Sequence, residues 1–134
     1  MKVLVDTSVW SLALRRRSPA HPSVDELRRL IVAGRAAIIG PIRQEVLSGI
    51  RDASAFERLR DRLGAFPDEP LTTADFERAA ECFTACRAKG LQGSNTDFLL
   101  CAVSVRHRMP LLTTDGDFLH YAKVIPVTLH TVAG

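Results

Sequence analysis

Short apolar runs alternate with amphipathic stretches along this chain. The runs at residues 2–6, 36–39 and 111–113 have the length of single buried strands, and weaker candidates lie at 65–67 and 124–127. Between these runs, apolar residues recur at spacings of three and four, which is the period of an amphipathic helix. Strands that alternate with helices indicate βαβ units and a parallel sheet.

Capping residues and glycines delimit the predicted helices in the first half of the chain. The first strand leads into a helix through residues 10–14. Ser23 and Glu26 have the spacing of a capping box, so a second helix is expected to begin there and to end at Gly34. A further helix is expected over residues 53–63.

The second half of the chain predicts two longer helices. Thr72 and Thr73 are expected to cap the first of them, which ends near Gly90. Its buried face is predicted to carry Phe76, Ala79, Ala80 and Phe83. Ser94 is expected to cap the next helix, over residues 95–108, whose middle is apolar on all sides and therefore typical of a helix packed deep in a domain.

These elements predict an α/β fold in one domain over residues 1–134, a three-layer α/β/α sandwich with a short parallel five-stranded sheet. A chain of 134 residues can bury an adequate core without disulfide bonds. No apolar run approaches the length of a membrane span, and the apolar start is too short for a secretory signal. The three cysteines form neither a disulfide framework nor zinc-type pairs, which favours a reducing, cytoplasmic location.

Acidic residues stand where apolar strands end or where helices begin. Asp6 and Asp115 each close a predicted strand, and Asp117 follows two residues later. Asp97 opens the most apolar helix, and Glu45 lies at the edge of the apolar side of a short helix. Because ligands of parallel sheets bind outside the carboxyl ends of the strands, these carboxylates are expected to converge. Carboxylates in one crevice repel each other unless a cation neutralises them, and ligand oxygens alone select Mg²⁺ or Mn²⁺.

Each acid also has a purely structural explanation. Asp6 could cap the helix that follows it, and the helix dipole could stabilise Glu45 and Asp97 near helix N-termini. Asp115 could belong to an Asp-Gly turn. The joint placement of all these acids at one end of the sheet favours a metal site, and such a site suits metal-assisted hydrolysis of phosphodiesters.

Four short segments around these acids resemble the motifs of PIN-domain ribonucleases. They read DTSVW at residues 6–10, QEVLSG at 44–49, NTDFLLCA at 95–102 and LTTDGDF at 112–118. Each segment is weak alone, but four in order at family-like spacing are specific, and the similarity covers essentially the whole chain. The length is also similar to that of the VapC toxins of toxin–antitoxin operons.

The resemblance implies a fold, an activity and a set of partners. PIN domains carry a parallel five-stranded sheet and an acidic pocket for Mg²⁺ or Mn²⁺, and VapC toxins are endoribonucleases that often cut tRNA or rRNA. They commonly form homodimers and are inhibited by a VapB antitoxin, which makes the contacts to operator DNA. By motif match, the catalytic residues are Asp6, Glu45, Asp97 and Asp115, and the metal ligands are Asp6, Asp97, Asp115 and Asp117.

Arginine supplies fifteen of the eighteen basic residues, and the net charge is +3. Guanidinium groups suit phosphate recognition, so four arginines are candidates for gripping the RNA backbone. These are Arg15, Arg16, Arg17 and Arg43. A GC-rich genome and a solvated surface explain the same composition without RNA binding.

Two other classes of protein compete with the nuclease interpretation. A non-catalytic PIN-like domain could act as an RNA-binding or assembly module, although degenerate members typically lose one or more of the acids. A receiver-like or haloacid-dehalogenase-like domain needs a second acid near the end of the first strand, where this chain has Thr7 and Ser8. The helices expected near residues 24–33 and 53–63 are candidates for dimer or antitoxin contacts.

Overall fold

A computed structural model describes residues 1–14 and 20–132 and contains one parallel sheet. Its strands are β1 (Val3–Val5), β2 (Ala36–Ala37) and β3 (Leu111–Leu112), in the order β2-β1-β3. All three residues of the central strand β1 are fully buried. The carboxyl ends of the three parallel strands therefore face the same way, as the alternating pattern predicts.

Helices flank this sheet, which confirms the predicted α/β class. In the described part of the chain they are α1 (Thr7–Ala13), α2 (Pro22–Val32), α3 (Gly40–Ser48), α4 (Ala53–Leu63), α5 (Thr73–Ala88), α6 (Asn95–His107) and α7 (Asp117–Tyr121). The helix expected over residues 53–63 is confirmed by α4, and the predicted Ser94 cap of α6 is present. Among the described residues, no helix has both the length and the apolar character needed to cross a bilayer.

The expectation of five strands is wrong for the described residues, which contain three strands and two isolated parallel bridges. One bridge joins Ile38 to Asp68 beyond β2, and the other joins Leu111 to Leu129 beside β3. Each flanking segment therefore pairs with the sheet at one position only. In place of five strands, the described residues form a three-stranded sheet. One additional residue pair joins a flanking segment to each side of it.

The predicted strands at 65–67 and 124–127 are displaced because local turns use their backbone donors. The amide of Phe66 bonds back to the last turn of α4. The amides of Val124 and Ile125 both bond to the carbonyl of Tyr121 at the end of α7. Each predicted segment also contains a proline, which has no amide hydrogen to give to a sheet.

The prediction that Ser23 and Glu26 form a capping box at the start of α2 is also wrong. His21 occupies the N-cap position, and its Nδ1 accepts the amide of Ser23 at 3.0 Å. Glu26 instead accepts hydrogen bonds from Arg29 at 2.9 Å and contacts Nε2 of His130 at 2.6 Å. These hydrogen bonds, from Arg29 first and then His130, lower the pKa of the Glu26 carboxyl below its usual range. Glu26 thus fastens the C-terminal segment to α2.

The face of α5 predicted to be buried is confirmed only in part: Ala79 and Phe83 are partly buried against the core, and the Phe83 ring lies 5.3 Å from that of Phe98 on α6. The fully buried positions of α5 are Asp75, Cys82 and Cys86, whereas the side chain of Phe76 is 53% exposed. The apolar face predicted to be buried lines an open cavity of about 530 Å³ that Pro41 of α3 also borders. Periodicity identified an apolar stripe correctly, but the described residues leave this stripe only partly covered.

Asp75 is an acid that the sequence gives no reason to place in the core. Its carboxylate is fully buried and accepts the amide of Thr72 at 2.8 Å. Arg106 donates to it at 2.5 Å, and Nε2 of His107 lies 2.9 Å away. Burial opposes its ionisation, but these hydrogen bonds outweigh burial and lower the pKa of Asp75. The carboxylate therefore joins the start of α5 to the end of α6.

Candidate active site

Asp6 ends β1 and is buried, with 6% of its surface exposed. It occupies the N-cap position of α1, yet its side chain makes no capping hydrogen bond. Its Oδ2 instead accepts hydrogen bonds from the hydroxyls of Ser8 and Thr113, each at 2.8 Å. Capping therefore does not account for this carboxylate, and its position is fixed by hydroxyl groups from two distant parts of the chain.

The same two hydroxyls connect the ends of β1 and β3. Oγ of Ser8 accepts the amide of Thr114 at 3.1 Å, and Oγ1 of Thr113 accepts the amide of Asp115 at 3.0 Å. The loop after β3 is consequently held against the carboxylate that ends β1. Asp6 and Asp115 are therefore brought to the same edge of the sheet.

Glu45 is exposed on α3 and approaches the first motif from a third direction. Its Oε1 accepts the hydroxyl hydrogen of Thr7 at 2.6 Å. Thr7 directly follows Asp6 at the start of α1, so this bond places α3 beside the carboxyl end of β1.

Asp97 lies in the first turn of α6 and completes a capping box with Ser94. The Ser94 amide donates to Oδ2 of Asp97, and the Asp97 amide donates to Oγ of Ser94, both at 3.1 Å. Burial is the main reason why the pKa of Asp97 lies above its usual range. The charges of Asp6 and Asp115 raise it further, against the lowering effect of the bonds with Ser94. Three carboxylates thus act on one another, and a cation would relieve that repulsion.

The Asp115-Gly116-Asp117 segment starts a helix and does not form a hairpin. The amide of Asp117 donates to Oδ1 of Asp115 at 2.9 Å, and Asp117 is the first residue of α7. Tyr121, at the end of α7, is buried, and burial is the main cause of its raised pKa. The charges of Asp97, Asp117 and Asp115 add to that rise.

One pattern is common to the four catalytic candidates. In each carboxylate, hydrogen bonds hold one oxygen: Oδ2 of Asp6, Oε1 of Glu45, Oδ2 of Asp97 and Oδ1 of Asp115. No residue in the described part of the chain donates a hydrogen bond to the other oxygen. As far as residues 1–14 and 20–132 are concerned, every acid is thus fixed in place and has one oxygen available for a ligand.

The donor set suits a hard divalent cation that keeps part of its water shell. Among residues 1–14 and 20–132, no three acidic, histidine or cysteine side chains already stand in an arrangement that could hold a metal ion. Mg²⁺ does not require such a cage, because it usually retains several waters and takes one or two carboxylates together with substrate phosphate. The clustered carboxylates therefore fit Mg²⁺ or Mn²⁺ better than a metal that needs a closed protein shell.

Comparison with known proteins identifies the family to which this sequence is related. A PIN domain family model matches residues 3–124. This chain belongs to the PIN-domain family. The PIN domain is 32% identical over 126 residues to ribonuclease VapC11 of Mycobacterium tuberculosis, which covers 91% of this chain and 92% of the relative. It therefore falls among the VapC-type members of the family.

Solved structures share the fold of this PIN domain. FitAcB from Neisseria gonorrhoeae superposes with a TM-score of 0.76 at 20% identity and covers 96% of both chains. VapBC2 from Rickettsia felis, bound to a DNA fragment from its promoter, gives a TM-score of 0.75 at 19% identity and covers 97% of this chain and 98% of the other. Identities this low speak for the fold alone.

The arginines predicted to grip RNA divide into two groups in this PIN domain. Arg15, Arg16 and Arg17 lie outside the described residues. Arg43 is engaged elsewhere: its Nε donates to Asp68 at 2.9 Å, and its two terminal nitrogens donate to backbone carbonyls of residues 63 and 66. All three nitrogens of the guanidinium thus hold the segment after α4, so we correct the role of Arg43 from phosphate contact to structural tie.

Sequence reasoning missed how Tyr121 and Gly93 place Asp97 in this PIN domain. The Tyr121 hydroxyl donates to the carbonyl of Gln92 at 2.7 Å, just before the Ser94 cap. Its ring packs against Phe98 at 5.0 Å between centroids. A glycine directly before a helix cap is the sequence feature that marks this contact.

Replacing Gly93 by Ala is expected to destabilise the PIN domain by about 1–3 kcal/mol, the usual cost of overpacking. The added Cβ would lie 2.4 Å from the Tyr121 hydroxyl and 3.0 Å from the Phe98 ring. The double variant G93A/Y121F removes the oxygen and should recover part of the loss. Urea unfolding of the single and double variants measures the loss of stability and its recovery. Equal stability of G93A and wild type would contradict the predicted overpacking.

Proposed function

We propose that this PIN domain is a Mg²⁺- or Mn²⁺-dependent endoribonuclease of the VapC toxin type, which hydrolyses phosphodiester bonds in tRNA or rRNA. The observation that carries the proposal is the network at the strand ends, in which the hydroxyls of Ser8 and Thr113 hold the carboxylate of Asp6 against the loop that carries Asp115. The 32% identity of this chain to a ribonuclease, which extends over 91% of its length, supports the same reaction.

The four catalytic acids and Asp117 have distinct roles in this proposal. Asp6, Asp97 and Asp115 hold the cation directly or through water, and Asp117 is a further candidate ligand. Glu45, fixed through Thr7, completes the charge set and orients the attacking water. When bound, the cation lowers the pKa of water and offsets negative charge on the reacting phosphate.

Removal of divalent cations is expected to abolish RNA cleavage without unfolding the protein. Without a cation, an RNA phosphate would approach several carboxylates of its own sign, and the interaction would be repulsive. Incubation of the protein with total RNA in EDTA, and then in excess Mg²⁺ or Mn²⁺, followed by mapping of the cut ends, measures this. Circular dichroism in EDTA is the control for folding. Cleavage that persists in EDTA would overturn the metal dependence.

The alternative is a non-catalytic PIN-like RNA-binding or assembly module. Its support is that no described group of three acidic, histidine or cysteine side chains is already arranged around an ion site. In the same assay such a module would retain RNA on the protein and leave it uncut with either cation.

A VapB-type antitoxin is the proposed protein partner, and operator DNA is proposed to be contacted through that antitoxin alone. Support comes from the fold shared with VapBC2, whose structure contains promoter DNA. A homodimer remains part of the proposal. The partly covered face of α5 around Phe76 is a candidate dimer surface, in addition to the predicted helices near 24–33 and 53–63.

A further inference from the structure

We infer that Asp6 binds the catalytic cation through Oδ1 alone, and that Ser8 and Thr113 are positioning residues that reserve its other oxygen. This inference rests on the proposed function and adds two residues to its site. Neither residue was singled out by the placement of acids along the sequence. Both act through Asp6 and not on the RNA.

One assignment of the hydrogen atoms satisfies every donor and acceptor in this network. A hydroxyl has one hydrogen to donate and two lone pairs with which to accept. Ser8 and Thr113 each lie 2.8 Å from Oδ2 of Asp6, which as a carboxylate oxygen only accepts. Each hydroxyl also accepts a backbone amide, from Thr114 and Asp115 respectively. The 3.3 Å approach between the two hydroxyls is therefore a contact without a shared hydrogen.

The direction of every bond in this network then follows. Backbone amides donate to hydroxyl oxygens, and hydroxyl hydrogens point to Oδ2 of Asp6. An ionised carboxylate oxygen offers about two lone-pair sites, and the two hydroxyls fill both of them. A cation that took Oδ2 as well as Oδ1 would have to displace at least one hydroxyl. Asp6 is thus prepared to give one oxygen, Oδ1.

Thr113 links two of the proposed ligands. It donates to the side chain of Asp6 and accepts from the backbone of Asp115. A change at Thr113 therefore alters the separation of these two acids, whereas a change at Ser8 alters the orientation of Asp6 and releases the amide of Thr114. Groups that orient a metal ligand in this way typically change affinity or activity by about 10- to 100-fold when they are removed.

Substitutions at Thr113 test the inference with matched shapes. Thr113→Val keeps the branched side chain and removes the hydroxyl, whereas Thr113→Ser keeps the hydroxyl. We expect T113V to weaken Mn²⁺ binding by about 10- to 100-fold in isothermal titration calorimetry. T113S should bind Mn²⁺ nearly as well as wild type. RNA cleavage by T113V should need more Mn²⁺ and recover much of its rate when Mn²⁺ is saturating.

The controls separate this inference from the proposed function. Thr128→Val is the same substitution at an exposed threonine of the segment beside β3, and its Mn²⁺ affinity should match wild type. If T113V does not fold, Ser8→Ala tests the second hydroxyl with the same prediction. Wild-type affinity in both T113V and S8A would overturn the positioning role. Wild-type protein that neither binds Mn²⁺ nor cuts RNA would overturn the proposed function itself.

Discussion

Replacing Asp97 by Asn is expected to slow RNA cleavage by about 10³-fold while the melting temperature stays equal or rises. Loss of one charged ligand removes several kcal/mol of stabilisation from the reacting phosphate, and about 4 kcal/mol corresponds to three powers of ten in rate. The amide oxygen of Asn can still accept the Ser94 amide, so the start of α6 keeps its cap.

The expected gain in stability follows from the sign of the pKa shift. Burial, and then the charges of Asp6 and Asp115, raise the pKa of Asp97. A carboxyl with a raised pKa in the folded state opposes folding when it is ionised, which is the case at neutral pH. Replacement by Asn removes this charge, so the charge no longer destabilises the folded state.

Cleavage rates in Mg²⁺ and thermal melts at pH 7 measure both effects of Asp97→Asn. Asp61→Asn makes the same change in charge on the exposed side of α4, where the side chain is 77% exposed, and should leave both quantities unaltered. Full Mg²⁺-dependent cleavage by the Asp97 variant would defeat its catalytic assignment.

Asp75→Asn is expected to lower the free energy of unfolding by about 3 kcal/mol, within the range for breaking a buried charged pair. The carboxylate is completely buried and takes hydrogen bonds from Thr72 and Arg106, with His107 2.9 Å away. An amide in its place has one acceptor oxygen and turns two hydrogens toward these donors. Cleavage per folded molecule should be unchanged, because Asp75 makes no contact with the proposed site.

The pH dependence of stability should change with the same substitution. Hydrogen bonds overcome the effect of burial and hold the pKa of Asp75 below its ordinary value of 3.8. The carboxylate then contributes its full stability above about pH 3.8, and this contribution is lost as the pH falls toward the folded-state pKa. In urea unfolding between pH 7 and pH 3, the free energy of unfolding should decrease less with falling pH for Asp75→Asn than for wild type. An equal decrease in the two proteins would rule out a stabilising role of the ionised Asp75.

The order of helices and strands could be predicted because periodicity and caps act locally. Residues 53–63 have a helical pattern, and the structure contains a helix over that range. The outer pairings of the sheet could not be predicted in the same way. Asp68 and Leu129 each meet the sheet at a single position, and one paired residue leaves no alternating pattern in the sequence.

The buried face of α5 was predicted only in part, for a related reason. An apolar stripe shows which side of a helix avoids water, but it does not show what covers that side. In the structure, Phe83 contacts Phe98 of α6, and Cys82 and Cys86 beside it are buried, whereas Phe76 stays half exposed. Asp75 was missed because its partners Arg106 and His107 are about thirty residues away, on another helix.

The acids proposed for the site were found from sequence because they lie at strand ends or helix starts inside segments that resemble a family. The hydroxyl groups that hold them could not be found in this way, since Ser8 and Thr113 meet only when β1 and β3 pair. The sequence does carry a hint, because a threonine or serine lies within two residues of both Asp6 and Asp115. Only the order of the strands in the sheet shows that these hydroxyl groups meet.

The buried cysteines make this nuclease fold insensitive to redox conditions. Cys82, Cys86 and Cys101 are all free and buried, and burial is the main cause of their raised pKa values. A protonated, inaccessible thiol is a poor nucleophile and a poor target for peroxide. Oxidants would therefore reach these sulfur atoms only after the domain opens, so alkylation of its thiols would report unfolding and not catalysis.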